Sequence, residues 1–413
     1  MISRSDSADR PGHKGRVGML VHATYPADVR VRRQAETLAA SGFEVHVICV
    51  RPPAKSADFS EARTDAVNGV TIHRLPLRKK RGTTFRYLFE FSALLLLGVW
   101  KVTALHLRRR FDVVHIHNMP DLLVFAGLPA KWMGARLLLD VHDPMPELFQ
   151  ENYGADSRSP MVRALQWQER ISFGRVDRLI TVSDPMADNI ARKAGVSKEA
   201  VMVVHNFPDL NYFPIRKNRA RWPHDDGRFV FLYAGTVSEH YRLDIALRAL
   251  AKISPIIPGV RFQILGNGPA LKDVLSLAQE LGVPHLLEVL PAVSMEKVKD
   301  YMAAADVGIT THQSGIFGDL YLSNKVIEYM TQGLPVVCSR TRSLAQYIPE
   351  EAIFFFRPGD IDGLSDTLVT ICQNPHLVQA RIDNAQILLT RYVWQTEREK
   401  FVSFYSDVVR ANP

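Results

Sequence analysis

Short apolar runs alternate with helical patterns along most of this chain. Nearly continuous apolar runs such as VGMLV at 17–21 and DVVHI at 112–116 suit strands buried on both faces, as in parallel sheets. Helical patterns fall between such runs, for example at Val31–Ala40 and Pro185–Ala194. A strand–helix–strand order of this kind predicts an α/β architecture with doubly wound sheets.

The predicted strands form two groups separated by a stretch of different character. The first group is Arg16–His22, Glu44–Val50, Val70–Arg74, Val113–His117, Leu137–Val141, Arg178–Val182 and Val201–Val204. The second group is Phe229–Tyr233, Arg261–Leu265, Leu287–Leu290, Val307–Thr310, Pro335–Cys338 and Ala352–Phe356. The stretch between the groups holds three prolines and many charges without a clear period, which is typical of a linker.

These groups predict two Rossmann-like domains that face each other across a cleft. The expected boundaries are 1–206 for the first domain, 207–228 for the linker and 229–390 for the second domain. A C-terminal helix at 391–413 is expected to follow, and it could cross back to the first domain. Ligands of open α/β sheets bind at the carboxyl ends of the strands, so the cleft is the expected site.

Charge and cysteine content limit the classes of partner. The net charge is +8, which admits nucleic acid, an anionic membrane surface or a phosphorylated substrate. Nucleic acid fits poorly, because the sequence lacks zinc-finger spacing, a basic zipper and an aromatic RNA-binding signature. Three widely spaced cysteines and a polar N-terminus without an apolar signal core predict a cytoplasmic protein.

One segment combines basic and apolar residues. Four cations at Arg78–Arg81 precede the apolar stretch Phe91–Trp100, and three more follow at Arg108–Arg110. The apolar stretch is about half of the roughly 20 residues that a spanning helix needs, so a transmembrane helix is not expected. Two interpretations remain open, a buried helix of the first domain or an amphipathic helix on an anionic bilayer.

The sharpest chemical pattern is a helix start at Ser323-Asn324-Lys325. Ser323 or Asn324 can cap the helix, whose first backbone N–H groups suit a phosphate. Glu328 lies one turn further on the same side and could accept hydrogen bonds from sugar hydroxyls. The alternative is an ordinary capped helix with a surface Lys–Glu pair.

The segment SNKVIEYMTQGLPVV at 323–337 closely resembles the donor site of family 4 glycosyltransferases, which are retaining enzymes of the GT-B fold. Other segments resemble that family in the same order, among them FDVVHIHNMPDLLVF, FLYAGTVSEHYRLDIALRAL and FQILGNGP. The resemblance extends from about Arg16 to Val409. It implies a hexosyltransferase that uses a nucleotide-sugar donor.

The resemblance also implies roles in donor binding. Glu328 matches the second glutamate of the family's paired-glutamate motif, which holds the donor ribose. Asn324 and Lys325 match the loop and helix start beside the donor diphosphate. Gly235 and Thr236 match the glycine turn after the first strand of the second domain.

Two further residues match positions near the reacting atoms. Arg242 is the best match to the basic residue that stabilises the leaving phosphate, although the usual Lys-Gly is replaced by Tyr241-Arg242. His142 matches a histidine of the first domain near the acceptor and the anomeric carbon. With Lys325, these residues are the expected catalytic groups, and the chemistry needs no metal, because fixed positive charge can stabilise the departing phosphate.

The first domain supplies the candidate acceptor-binding residues. Arg30 and Arg33 share a side of the first helix at i,i+3, so they could contact an anionic acceptor, or they could form a solvated face. His115 and His117 point the same way from one strand. With His142 and Asp143 they could suggest a metal site, but histidines lining a cleft are the favoured interpretation, with His117 near the acceptor and no metal or other cofactor expected.

The chain departs from the family pattern at two places. Leu320 stands where the first glutamate of the motif would contact the donor sugar, so Asp319, Gln313 or backbone groups would have to read that sugar. The glycine-rich loop often found after the first strand is replaced by 25–30, YPADVR.

The sequence therefore predicts a retaining glycosyltransferase with a UDP- or GDP-linked donor. The expected acceptor is a membrane-associated, polyprenyl-linked glycan of cell-envelope or exopolysaccharide biosynthesis. The expected location is the inner face of the cytoplasmic membrane, as a peripheral protein. The alternatives are a nucleotide-sugar epimerase of the same fold and a catalytically silent nucleotide- or glycan-binding subunit, with a metal-dependent hydrolase as a more distant one.

Overall fold

The computed structural model describes residues 13–53, 62–79, 84–216 and 227–411. The chain divides into two compact units. The first contains Met1–Gln150, Ala155–His205 and Glu397–Pro413, and the second contains Glu151–Gly154 and Asn206–Thr396. Each unit is built around its own sheet.

The sheet of the first unit has eight strands in the order β3-β4-β2-β1-β5-β6-β7-β8. These strands are β1 (Arg16–Leu20), β2 (Glu44–Arg51), β3 (Thr64–Val67), β4 (Val70–Arg78), β5 (Val113–His117), β6 (Arg136–Val141), β7 (Arg178–Thr181) and β8 (Val201–Val203). All neighbours pair in parallel except β3, which pairs antiparallel with β4 at the sheet edge. The strand β3 is short and half-exposed, and the sequence did not predict it.

Helices connect the strands of the first unit. The helices before residue 206 are α1 (Val29–Ala40), α2 (Thr84–Arg109), α3 (Leu128–Trp132), α4 (Met145–Tyr153), α5 (Pro160–Phe173) and α6 (Asp184–Ala194). The predicted helix at 122–132 is instead a 3₁₀ helix, Asp121–Gly127, followed by α3. Pro129 explains the change, because it has no backbone N–H and fits only in the first turn of a new helix.

The sheet of the second unit has six parallel strands in the order β11-β10-β9-β12-β13-β14. These strands are β9 (Phe229–Ala234), β10 (Val260–Leu265), β11 (Leu287–Leu290), β12 (Val307–Thr310), β13 (Val336–Ser339) and β14 (Phe354–Phe356). Its helices are α7 (Leu243–Ile253), α8 (Leu271–Glu280), α9 (Met295–Ala304), α10 (Asn324–Thr331), α11 (Arg342–Tyr347), α12 (Ile361–Gln373) and α13 (Pro375–Leu389).

The position of β9 in the middle of the sheet explains why its sequence is apolar throughout. Its odd-numbered residues Phe229, Phe231 and Tyr233 belong to one buried cluster, and the alternate residues Val230, Leu232 and Ala234 belong to another. The two clusters lie on opposite faces of the sheet, because successive side chains of a strand point to opposite sides. A strand covered on both faces has no polar face, so the sequence shows a run instead of an alternation.

The stretch predicted as a linker, 207–228, is partly core. Phe207 and Phe213 are 2% and 3% exposed and pack in the second unit, which the chain joins at Asn206. Proline and charge had suggested an open connection, but these aromatic side chains bury apolar area and draw the segment onto the unit. Residues 217–226 of the predicted linker lie outside the described residues.

The C-terminal helix α14 (Trp394–Arg410) belongs to both units in turn. Trp394 is 2% exposed in the second unit, where its backbone N–H donates to the carbonyl of Pro208. Phe401 and Tyr405 are fully buried in the first unit. The last helix therefore returns the chain to the first unit.

Helix α2 is longer than the apolar stretch predicted from the sequence, and it has a buried face and an exposed face. Its buried face carries Leu94, Gly98 and Val102, and a Cβ on Gly98 would lie 3.1 Å from Leu20 of β1, so the helix packs closely on the sheet. The stretch Phe89–Arg109 is long and apolar enough to cross a membrane by length and composition, and about a third of it is buried. The uninterrupted apolar stretch 91–100 is only part of this helix, which runs from Thr84 to Arg109. Lys80 and Arg81 lie outside the described residues.

Candidate active site

Helix α10 presents its first turn at one edge of the second unit. Its apolar residues Val326, Ile327, Tyr329 and Met330 are buried, whereas Asn324, Lys325 and Glu328 are partly exposed on one side. Ser323 stands at the N-cap position, but its side chain makes no capping hydrogen bond. The first N–H groups of α10 therefore have no side-chain cap from Ser323, which is the arrangement that suits an anion.

Tyr329 fixes α10 against the sheet. Its hydroxyl accepts a hydrogen bond from the backbone N–H of Ala234 at 2.9 Å and donates to the carbonyl of Leu232 at 3.2 Å. Its ring fills the space beside Gly308, where a Cβ would lie 2.4 Å away. The start of α10 is thus held beside the end of β9.

Lys325 lies over the turn that follows β9. Its Nζ is 4.0 Å from the ring centroid of Tyr241 and 5.4 Å from that of Tyr233, both within cation–π range. Its stem covers Gly235, where a Cβ would come within 2.4 Å of the lysine Cε. The predicted glycine turn and the predicted lysine are therefore in direct contact, and Gly235 leaves room for the lysine.

Two more glycines allow the neighbouring loop to approach this turn. A Cβ on Gly266 would lie 2.1 Å from the carbonyl oxygen of Gly235, and a Cβ on Gly268 would lie 1.9 Å from that of Val237. The GNG sequence at 266–268 thus serves close packing of two backbone segments. Thr236 is exposed in this turn, and its backbone carbonyl accepts a hydrogen bond from the Tyr233 hydroxyl at 2.6 Å.

The structure pairs Arg242 with an acid. Its Nε and one terminal nitrogen each donate to Asp244 at 2.8 Å, and these bonds raise the pKa of Arg242. The hydroxyl of Thr311 holds the carbonyls of Tyr241 and Arg242, so the loop is fixed. The charge of Arg242 is shared with a carboxylate, whereas Lys325 forms no ion pair of 4 Å or less with an acid among the described residues.

His312 is a residue of this site that sequence reasoning missed. It follows β12, is 2% exposed, and meets the rings of Tyr241 and Tyr321 edge-on at 5.1 and 5.4 Å. Burial, and then the nearby charge of Lys325, hold the pKa of His312 well below its usual value, so the ring is neutral. The signal that could have found it is its place just beyond a buried strand of a parallel sheet.

The two residues predicted to contact the donor sugar, Asp319 and Gln313, differ in whether their side chains are already hydrogen-bonded. Both carboxylate oxygens of Asp319 accept hydrogen bonds, one from the Ser314 hydroxyl at 2.8 Å and one from the backbone N–H of Arg342 at 2.8 Å. Asp319 therefore ties its loop to the start of α11. Gln313 is exposed and lines a pocket with Arg242 and Asp244, so it is the better placed of the two.

The predicted residues of the first unit are more buried than expected. His142 is 4% exposed and His117 is fully buried, with their rings stacked and His117 Nδ1 3.2 Å from His142 Nε2. Burial lowers the pKa of both rings. The side chain of His117 is covered because β5 is an interior strand of the sheet, and its contact with an acceptor stays a prediction.

The two arginines of α1 also differ from each other. The side chain of Arg30 is about one third exposed and lies 3.8 Å from Asp28, whose carboxylate caps α1. Arg33 is only 7% exposed, because its side of the helix faces the unit interior with Gln34 and Ala35. Of the pair expected to contact an acceptor, Arg30 alone is accessible.

Comparisons with known proteins agree on one class of protein. The family described as "Glycosyl transferase 4-like domain" matches residues 27–206, and the family described as "Glycosyl transferases group 1" matches residues 214–387. The chain is 24% identical to D-inositol 3-phosphate glycosyltransferase from Saccharomonospora viridis, over 98% of this chain and 92% of that protein. It is 23% identical to the phosphatidylinositol N-acetylglucosaminyltransferase gpi3 subunit from Schizosaccharomyces pombe, over 84% of this chain and 70% of that protein.

A solved structure shows the same fold. The structure of Anabaena Alr3699/HepE in complex with UDP-glucose superposes with a TM-score of 0.69 at 15% identity. The match covers 95% of this chain and all of that one. At this identity the likeness concerns the fold alone.

Proposed function

The chain belongs to the GT4-type group 1 glycosyltransferases and has the GT-B fold, and from this premise we propose that it moves a sugar from a UDP- or GDP-linked donor to a lipid-linked glycan acceptor. The acceptor we propose is polyprenyl-linked and belongs to cell-envelope or exopolysaccharide synthesis. The transfer would retain the anomeric configuration, and the enzyme would work as a peripheral protein on the inner face of the cytoplasmic membrane.

The observation that carries the donor assignment is the contact of Lys325 with Gly235 at the start of α10. A diphosphate at this place would meet the N–H groups of the first turn and the lysine ammonium together. Glu328, one turn along, would accept hydrogen bonds from the ribose hydroxyls. UDP-linked donors are the first choice, since the structural relative HepE binds UDP-glucose.

Fixed positive charge would drive the reaction. Breaking the bond between the sugar and the diphosphate places negative charge on the departing phosphate. Lys325 and the N-terminus of α10 are already held in place, so they would stabilise this charge without reorganising. Arg242 would add a weaker contribution, because Asp244 already shares its charge. We assign no metal to the diphosphate.

The proposed membrane contact rests on the outer face of α2. Four large apolar side chains on this face are 63–71% exposed: Phe89, Leu96, Trp100 and Leu107. Their spacing of seven, four and seven residues places them along one side of the helix. The exposed cations Arg108, Arg109 and Arg110 follow at the end of the helix. An apolar stripe with a cationic end fits an anionic bilayer surface, while the opposite face of α2 stays packed on the sheet.

A vesicle assay tests this contact. Wild-type protein should co-sediment with vesicles rich in phosphatidylglycerol, and less so at high salt. The double variant Leu96→Ser/Trp100→Ser should lower vesicle affinity at least about tenfold, because it removes two apolar side chains from the contact. Ile387→Ser is the matched control, since Ile387 is 69% exposed in the second unit. Equal binding by the double variant and wild type would refute the contact.

A transfer assay tests the activity. The protein is incubated with radiolabelled UDP- and GDP-sugars and a bacterial lipid extract, and label in the lipid fraction is the expected result. Donor alone, followed by sugar analysis, identifies an epimerase instead. Binding of UDP or GDP with no transfer in any extract, together with unchanged cellular glycan for Glu328→Ala, would favour a silent binding subunit.

A further inference from the structure

We propose that the first unit holds one divalent transition-metal ion, with His115, His117 and Asp140 as its ligands. The two histidines belong to β5 and the aspartate to β6, and their side chains are 0–1% exposed. The site belongs to the first unit, so it is separate from the donor site proposed above. The sequence favoured histidines lining a cleft, and the candidate metal cluster considered there contained His142 and Asp143 but not Asp140.

The sheet itself places the three side chains on one face. His115 and His117 are two residues apart on β5, and Asp140 stands opposite His117 in the parallel register of β5 and β6. Side chains two apart on a strand, and those paired across neighbouring strands, point to the same side. Their ligand atoms all lie within 4.8 Å of one another.

The distances fit a shared ion better than direct hydrogen bonds. His115 Nε2 and His117 Nδ1 each lie 3.6 Å from the same oxygen, Asp140 Oδ2. An N–H···O hydrogen bond spans about 2.7–3.2 Å, so neither contact is one. Two ligands at roughly 2.0–2.1 Å from a tetrahedral Zn²⁺ stand about 3.4 Å apart, close to the observed separation.

Several buried polar atoms at this place have no hydrogen-bond partner. Among the described residues they are His115 Nε2, His117 Nε2, Asp140 Oδ1 and His142 Nδ1. A buried carboxylate costs free energy unless a positive charge or several donors face it. Gln34 supplies one donor to Asp140 at 3.0 Å. A metal ion would supply the missing charge and would use the free nitrogen of His115.

Neighbouring residues form hydrogen bonds with the proposed ligands, as residues around a metal site commonly do. The Tyr405 hydroxyl lies 2.6 Å from His115 Nδ1, so that nitrogen can keep the proton and leave the Nε2 lone pair for the ion. Gln34 of α1 orients Asp140 in the same manner. His117 Nδ1, the nitrogen that faces Asp140, also lies 3.2 Å from His142 Nε2, so the ion would replace that contact. Two imidazoles and one carboxylate suit Zn²⁺, Co²⁺ or Fe²⁺.

Refolding with metal tests the proposal. The full chain is unfolded with a chelator, refolded with Zn²⁺, with Co²⁺ or with neither, and freed of excess ion by gel filtration. The expected result is about one equivalent of bound metal per chain, visible d–d absorption for the Co²⁺ form and a higher melting temperature for the metal-loaded protein. Natively folded wild type that retains well under one equivalent of either ion would overturn the proposal.

Variants locate the ion. Asp140→Asn and His117→Gln should abolish stoichiometric binding, and Tyr405→Phe should weaken it by about 10–100-fold. His73→Gln is the matched control, because His73 is a buried histidine of the same unit that contacts His46 instead of this cluster. Retention of the metal by both ligand variants would also overturn the proposal. If those variants do not fold, the wild-type refolding experiment decides alone.

Discussion

The Nζ of Lys325 lies 4.0 Å from the ring centroid of Tyr241, although the two residues belong to elements that are far apart in the sequence. The family resemblance places a lysine at the position of Tyr241, in the loop after the first strand of the second unit. Here a lysine from the start of α10 reaches that place. The ammonium beside Tyr241 therefore comes from the helix, while the loop's own cation, Arg242, is paired with Asp244.

Replacing Lys325 should slow transfer strongly. Lys325→Met keeps most of the stem but removes the charge, and the loss of one preorganised charge stabiliser lowers turnover by about 10²-fold. Lys252→Met is a suitable control, since Lys252 is half-exposed on α7 and pairs with Asp362. Steady-state kinetics with the donor identified by the transfer assay provide the measurement. Turnover near wild type would show that the ammonium plays no part in the chemical step.

Gly235 should be sensitive to the smallest added side chain. Its φ of +144° disfavours any other residue, and a Cβ would meet Lys325 Cε at 2.4 Å. Gly235→Ala should therefore displace the lysine and reduce turnover as well as stability. Gly134→Ala separates the two effects, because Gly134 also has a positive φ, +107°, but no atom within 4 Å of the added Cβ. The control should lose stability by about 1–3 kcal/mol with normal turnover. Equal turnover for both variants would contradict the proposed contact.

Local patterns in the sequence were enough to predict α10 and β9. The buried pairs Val326–Ile327 and Tyr329–Met330 have helical spacing, and the run at 229–234 has the composition of a strand covered on both faces. Both signals depend on neighbours in the chain, so the elements were found with small errors at their ends. The GT-B fold and the family were predicted from the resemblance of a series of segments, such as 323–337, to family 4 glycosyltransferases.

Contacts between distant parts of the chain were not predictable in the same manner. The contact of Lys325 with Gly235 and the edge-on contact of His312 with Tyr241 join separate loops. The burial of His117 depends on how the strands pair, which spacing along one strand does not reveal. The position of Asp140 was unpredictable for the same reason, because only the register of β5 and β6 brings it beside the histidines.

Gln313 and Asp319 should respond differently to substitution. Gln313 is exposed in the pocket with Arg242, so Gln313→Ala should raise KM for the nucleotide sugar by up to about tenfold, the value of one hydrogen bond, while UDP or GDP binding stays unchanged. Asp319→Ala should instead lower stability by about 1 kcal/mol, because Asp319 holds the start of α11. Kinetics and thermal unfolding separate the two. The reverse pattern would assign sugar contact to Asp319.

A buried acidic cluster in the first unit should make stability depend on pH. Lys193 Nζ lies 2.6 Å from Glu147 and 2.7 Å from Glu169, so one ammonium serves two carboxylates. Burial raises the pKa of Glu169 to about 7, and it also raises the pKa of nearby Asp121 to about 6. The folded state therefore binds protons that the unfolded state has already released.

The sign of the effect follows from proton linkage. Because the pKa of Glu169 is higher in the folded state, its contribution is fully present below pH 4.5 and is lost as pH rises towards 7. The loss approaches about 1.4 kcal/mol per pH unit within that window. Glu169→Gln should remove the pH dependence that comes from Glu169. The difference in unfolding free energy between wild type and variant should therefore change across pH 4.5–7. Denaturant unfolding at several pH values measures it, with exposed Glu280→Gln as the control. A wild-type-minus-variant difference that stays constant across the window would show that Glu169 is ionised in the folded protein, held so by Lys193.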